Sequence, residues 1–189
     1  MVEKRTRKPK IQRKIFYYKG DKKLEIKAGG ILFVHGKEKK EVLIQKVLEK
    51  GEKFRYSDFG GKTDNDDSTI DDTIARELHE ESNEGIRNKS TKKSLTINEL
   101  KAMINENIQI EIYIPVIKYI LKIVYFDDSK YELDFNTIGT FEKKDKINRV
   151  VQWISYDEFI KYYDSKLLHP RIIFQPIHNV FKVPKYYFI

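Results

Sequence analysis

Residues 60–81 read GGKTDNDDSTIDDTIARELHEE, running from Gly60 to Glu81. Two glycines lead into an acidic loop, and an arginine then stands before three glutamates. Thr69 is a good helix N-cap, and Asp72 three residues on completes an acidic form of the capping box. Ile70, Ile74 and Leu78 recur every four residues, so a helix is expected from Thr69 to about Asn83, with this stripe docked on a core. Asn83 or Gly85 can supply the left-handed residue that stops it. On that helix Glu77, Glu80 and Glu81 fall within roughly 100° of arc. Like charges so close repel one another, and beyond the first turn the helix N-terminus gives little relief. One reading is a solvated, solubilising face. The other is a seat for a hard divalent cation such as Mg²⁺ or Mn²⁺, which takes carboxylate oxygens and completes its shell with water and phosphate. Gly60 and Gly61 favour the second reading, because a tight glycine loop can bring a phosphate close to the carboxylates.

Working outward, residues 11–19 look like a short strand. Residues 28–35 (AGGILFVH) and 42–48 (VLIQKVL) form two apolar runs that read as a hairpin turning through GKEKKE. The polar stretch 87–94 reads as a loop. Thr96 caps a second helix to about Asn105, with Glu99 completing its box. Residues 108–126 favour strands, broken at Pro115. Residues 149–154 (RVVQWI) look like a buried strand, and Ser155 caps a third helix to about Tyr163. Hairpins followed by alternating helices and strands argue for an α/β or α+β layered domain around a mixed sheet.

The chain has 189 residues and 40% hydrophobic residues, enough to bury the core of one domain. It contains no cysteine, so a disulfide framework and a thiolate metal site are both excluded. No apolar run is long enough to span a bilayer, and no secretory leader is visible. The expectation is a cytoplasmic protein without membrane association. Of the net charge of +8, residues 1–14 carry seven positives (Lys4, Arg5, Arg7, Lys8, Lys10, Arg13, Lys14) against Glu3, or 7 − 1 = +6. The expected organisation is a basic arm over 1–14 and a single domain over 15–189. Such an arm either solubilises the terminus or holds RNA phosphates.

The segment Arg76-Glu77-Leu78-His79-Glu80-Glu81 resembles the R-E-U-x-E-E core of a Nudix box, G-x5-E-x7-R-E-U-x-E-E-x-G-U, in which U is a bulky aliphatic residue. Gly61-Lys62 matches its usual start. Counting from Gly61, the motif's first glutamate falls at Asp67. Counting back from Arg76 reaches Ser68, so the loop carries one extra residue. The motif's later glycine falls at Asn83, or at Gly85 after two added residues. The flanks agree, with residues 28–34 similar to the family's first central strand and residues 150–159 to its late strand and helix.

The resemblance implies an α/β/α sandwich and a Nudix-type pyrophosphohydrolase dependent on Mg²⁺ or Mn²⁺. It makes Glu77, Glu80 and Glu81 the metal ligands, one of them able to help deprotonate water. Arg76 would orient the box through an ion pair with an acid such as Asp67. Gly61, Lys62 and Arg55 become candidates for substrate phosphate. Glu142 and Asp145, before the late strand, are further candidates for a metal ligand or base. The expected substrate is a nucleoside diphosphate linked to a second group. Capped RNA (mRNA decapping) is the specific expectation that the arm favours. Free nucleotides and diphosphoinositol polyphosphates are alternatives, and a noncatalytic nucleotide- or RNA-binding module is the rival from another class. His79, at the variable position, is expected to face solvent, Trp153 to sit in the core, and His169 and His178 to be structural.

Overall fold

The computed structural model describes residues 13–35, 40–48, 54–138 and 149–172. The arm over residues 1–12, Glu142, Asp145 and His178 lie outside the described residues. Two short strands open the chain, β1 (Phe16–Tyr17) and β2 (Glu25–Ile26), and pair antiparallel. The strand expected over residues 11–19 thus shrinks to two residues, because Tyr18–Gly20 turns back with Lys19 left-handed. The sheet proper follows with β3 (Ala28–His35), β4 (Glu41–Leu48), β5 (Phe54–Ser57) and β6 (Phe59–Lys62). Then come α1 (Ile70–Glu81), β7 (Ile86–Asn88), α2 (Ile97–Asn107), β8 (Ile108–Ile114) and β9 (Tyr119–Tyr125). Strands β10 (Tyr131–Leu133) and β11 (Arg149–Ser155) and helix α3 (Tyr156–Asp164) complete the described elements.

The main sheet runs β11-β4-β3-β9-β8, with β5 on β4 and β6 on β3. It is mixed, since β3 and β9 are parallel and the other pairs are antiparallel. β3 and β4 pair only where Phe33–His35 faces Glu41–Leu43. Beyond that point they part, and β6 takes up Ala28–Ile31 while β5 takes up Gln45–Leu48. This divergence makes the site possible.

The unbroken apolar run of β3 is buried on both faces, as expected of a central strand covered by helices on each side. On one face Ile31, Phe33, Leu43 and Phe59 pack with Ile74 and Leu78 of α1 and Leu100 and Met103 of α2. On the other, Leu32, Val34, Ile44, Leu121 and Ile123 pack with Phe159 of α3. The fold is therefore α/β, with helices on both faces of a mixed sheet.

The helix expectations hold in detail. Thr69 and Thr96 both form complete capping boxes, with Asp72 and Glu99, and the Ser155 side chain accepts from the Glu158 N–H. α1 ends in two left-handed residues, Asn83 and Glu84, and Gly85 is not among them. Two expectations are corrected. Ile86–Asn88 is a strand paired with β10 that runs into the start of the 87–94 stretch read as a loop, because Ile86 is drawn into the core. β11 ends the described sheet and is of mixed exposure, with Arg149, Val151 and Ile154 buried and Val150 55% exposed, because only β4 pairs with it among the described strands. No helix among the described residues is long and apolar enough to cross a membrane.

Candidate active site

The glycine pair is not a loop. Gly60 and Gly61 lie inside β6, opposite Gly30 and Gly29 of β3. They serve close packing instead of chain reversal. A Cβ on Gly61 would sit 2.2 Å from Oε2 of Glu77, and one on Gly60 would sit 2.4 Å from the Gly29 carbonyl oxygen. Only glycine lets a carboxylate of α1 rest on the strand backbone.

The acidic loop TDNDDS is closed by a latch. Asp67 accepts from Arg76 twice, Nε to Oδ1 and Nη2 to Oδ2, each at 3.0 Å. Oδ2 also accepts from the Asp64 N–H at 2.8 Å and the Thr73 hydroxyl at 2.7 Å. Burial alone would raise the pKa of Asp67, but Arg76 and these donors outweigh it and hold it below the ordinary 3.8. Arg76 is likewise raised above the usual arginine value, since Asp67 and Glu77 outweigh its burial. Its Nη2 also donates to the Lys62 carbonyl at 3.0 Å. The acid reached by counting forward from Gly61 is thus the one that pairs with Arg76, and the extra residue is absorbed after it, before the Thr69 cap. From the other side, the Thr63 hydroxyl donates to the Lys14 carbonyl at 2.5 Å and Lys14 Nζ donates to the Asp67 carbonyl at 2.6 Å. The first described residues are therefore sewn to the same loop.

The three glutamates meet two different environments. Glu77 and Glu80 are partly exposed and face one nitrogen, Arg76 Nη1, at 2.9 and 3.6 Å. Glu81 is buried, 5% exposed. Its Oε2 accepts from the Gly60 N–H at 2.7 Å and Gln45 Nε2 at 2.8 Å, and Arg149 Nη2 lies 3.0 Å from its Oε1. Burial pushes its carboxyl up to about 7, against the pull of Arg149, Arg171 and those donors. A solvated acidic face is incompatible with this arrangement, because a carboxylate is buried only where donors or charges compensate it.

Behind Glu81 the network continues to the reverse face of the sheet. Asp58, fully buried, joins β5 to β6. Its carboxylate accepts from Tyr119 OH at 2.6 Å and from Arg171 Nε, and its carbonyl accepts from Gln45 Nε2 at 2.6 Å. Burial, followed by the Asp58 charge, drives the Tyr119 hydroxyl well above its ordinary value.

Among the other expected residues, Arg55 stands opposite Val47, which in turn faces Arg149. Directly opposed residues share a face, so Arg55 and Arg149 lie on the side of the sheet that carries α1. Alternation along β6 turns the exposed Lys62 to the other face, so it meets the site through its carbonyl. His79 is half-buried. Trp153 packs against the core and stacks on His35 at 3.9 Å. Nδ1 of His169 accepts from the Arg171 N–H at 3.3 Å.

Gln45, Asp58, Tyr119, Arg149 and Arg171 do not stand out in the sequence. The signals for them are weak: one uncharged polar residue inside VLIQKVL and one charge heading RVVQWI.

The donor set suits Mg²⁺ or Mn²⁺ in kind, being all oxygen, with two carboxylates already gathered around one cationic nitrogen. Among the described residues, no three acidic or histidine side chains converge on a single point. That still fits an ion that keeps several waters and uses one or two carboxylates beside substrate phosphate.

No protein-family model matches this chain, and no characterised protein matches its sequence. Two solved structures of a bifunctional NMN adenylyltransferase/ADP-ribose pyrophosphatase from Francisella tularensis are similar to it. The one complexed with AMP and a Mn ion is 21% identical with a TM-score of 0.47, covering 75% of this chain and 37% of that chain. The other is 22% identical with a TM-score of 0.45, covering 71% and 34%. The chain thus spans about a third of the length of the protein it matches.

Proposed function

We propose that this chain is a Nudix-type hydrolase that uses Mg²⁺ or Mn²⁺ to cleave a phosphoanhydride in a nucleoside diphosphate linked to a second group. The observation that carries the reading is the join of α1 to β6. The Arg76–Asp67 latch closes the loop, Gly61 leaves room for Glu77, and three carboxylates line one edge of the helix. Glu77, Glu80 and Glu81 would hold the ion. A divalent cation there would offset phosphate charge and make a bound water acidic enough to be a nucleophile near neutral pH. Arg76 keeps Glu77 and Glu80 together. Glu81 is gripped from inside by Gly60 and Gln45. Arg55 shares the sheet face that carries α1, which supports a role toward substrate phosphate.

Capped RNA is the specific substrate class within this reading. Lys14, the last residue of the basic arm, bonds to Thr63 and Asp67 in the loop beside Glu77, and that contact next to the site supports the reading.

The test is product analysis with Mg²⁺ or Mn²⁺ on cap-labelled RNA, nucleoside triphosphates, ADP-ribose and diphosphoinositol phosphates. Cleavage of at least one, abolished by chelator and by Glu80→Gln, is the expected result. Near-wild-type turnover in Glu80→Gln removes the metal assignment. Binding of nucleotides or RNA without any product establishes the noncatalytic module instead. Removing residues 1–12 should flatten the salt dependence of RNA cleavage by about 0.7 in log–log slope for each phosphate no longer neutralised. An unchanged slope removes capped RNA as the preferred class.

A further inference from the structure

We propose that Gln45 and Arg149 are positioning residues that hold the Glu81 carboxylate in its metal-binding orientation, an inference that rests on the hydrolase reading above. Three side chains from three elements close a ring. Arg149 Nη2 on β11 lies 3.0 Å from Glu81 Oε1, Arg149 Nη1 donates to Gln45 Oε1 at 2.9 Å, and Gln45 Nε2 on β4 donates to Glu81 Oε2 at 2.8 Å.

The polarity of the ring has one solution. A guanidinium can only donate, so the Gln45 oxygen must face Arg149. The amide nitrogen is then left for the two acceptors beside it, Glu81 Oε2 and the Asp58 carbonyl. The Gly60 N–H gives Oε2 its second donor. With all three side chains less than a tenth exposed, water cannot replace a lost partner cheaply. The carboxylate plane of Glu81 is therefore set by its neighbours and not by its own torsions.

Strand pairing does not require this ring. In the β4–β11 ladder Gln45 stands opposite Val151 and Arg149 opposite Val47, so the Arg149–Gln45 bond is a diagonal one. Both side chains lean toward the carboxylate that α1 delivers where β3 and β4 diverge. Groups that orient a ligand from behind typically account for about 10- to 100-fold in metal affinity or activity.

The experiment is Mn²⁺ titration of the whole chain, followed by electron paramagnetic resonance, for wild type, Gln45→Met and Arg149→Lys. Methionine keeps the volume and removes the amide. Lysine keeps the positive charge beside Glu81 and loses the second donor that holds Gln45, so its effect reports orientation and not charge. Each variant is expected to weaken Mn²⁺ binding about tenfold and to lower kcat while KM for substrate stays close to wild type. Thermal melts register any folding cost separately. Wild-type Mn²⁺ affinity in folded variants, with only a lower melting temperature, overturns the positioning role and leaves the hydrolase reading standing. No Mn²⁺ binding by the wild-type chain overturns the metal assignment itself, and this inference with it.

Discussion

Glu80 and Glu81 are neighbours in the chain, yet they belong to two regions built on different physics. The outer region lies along the rim of α1, where Glu77 and Glu80 share Arg76 with solvent nearby and a buried Asp67 grips the same arginine from behind. The inner region, Glu81, Gln45, Arg149, Asp58 and Arg171, is sunk between diverging strands, and nearly every polar atom has a protein partner. Screening by water makes the contacts of Glu77 and Glu80 with Arg76 adjustable and of small energetic consequence. Burial makes the inner network rigid, because one missing partner leaves an uncompensated charge in a poor dielectric. The helix edge therefore presents two carboxylates at a solvent-screened rim and one that is held in the interior.

Paired substitutions at these neighbours give the largest effects and can break the comparison. Glu80→Gln is expected to reduce turnover by about 10²- to 10⁴-fold while unfolding free energy changes by less than about 0.5 kcal/mol. Glu81→Gln should reduce turnover comparably and also destabilise the fold, since Arg149 loses its counter-charge. Equal stability of the two variants in denaturant titrations would erase the distinction between rim and interior.

Arg171→Met comes next. It leaves Asp58 buried without its cation and should cost about 3–5 kcal/mol of unfolding free energy. A loss under about 1 kcal/mol, the range of an exposed pair, would place Asp58 with the rim.

The buried latch behind the rim should be sensitive to acid. Asp67 has a folded-state pKa below its ordinary 3.8, so the native chain binds this proton less readily than the unfolded chain. Its contribution is complete above that ordinary value and is lost as pH falls through the lower folded-state value. Urea midpoints measured between about pH 5 and pH 2 should fall more steeply for wild type than for Asp67→Asn. Parallel curves would show that the latch does not tie the loop.

The smallest effect is at the entrance to the helix. Thr69→Ala removes the side-chain acceptor for the Asp72 N–H and should cost about 1 kcal/mol in thermal or denaturant unfolding, shifting both regions together.

Much of this is legible from local patterns. The capping boxes at Thr69 and Thr96, the Ile70-Ile74-Leu78 stripe and the break at Pro115 depend on neighbours within a few residues. They appear in the structure where the spacing puts them. The pairing of Asp67 with Arg76 is also within reach, because the motif count runs forward from Gly61 to that residue. The glycine pair, by contrast, reads as a loop and is a strand. What it accommodates, the Gly29 carbonyl and the Glu77 carboxylate, comes from a strand some thirty residues earlier and a helix sixteen later. Lys62 reads as a neighbour of the site by its place in the motif, whereas strand alternation sends its side chain to the other face.

By itself, then, the sequence determined the capped helix that carries Glu77, Glu80 and Glu81 on one edge, because helix spacing is a property of the local chain. Only the tertiary structure decided that Glu81 is an interior carboxylate and its neighbours are rim ones. Its partners Gly60, Gln45 and Arg149 lie 21, 36 and 68 residues away and meet it only where β3 and β4 part. A charge is buried at tolerable cost only when such distant donors arrive together, and no periodicity along the chain records that they do.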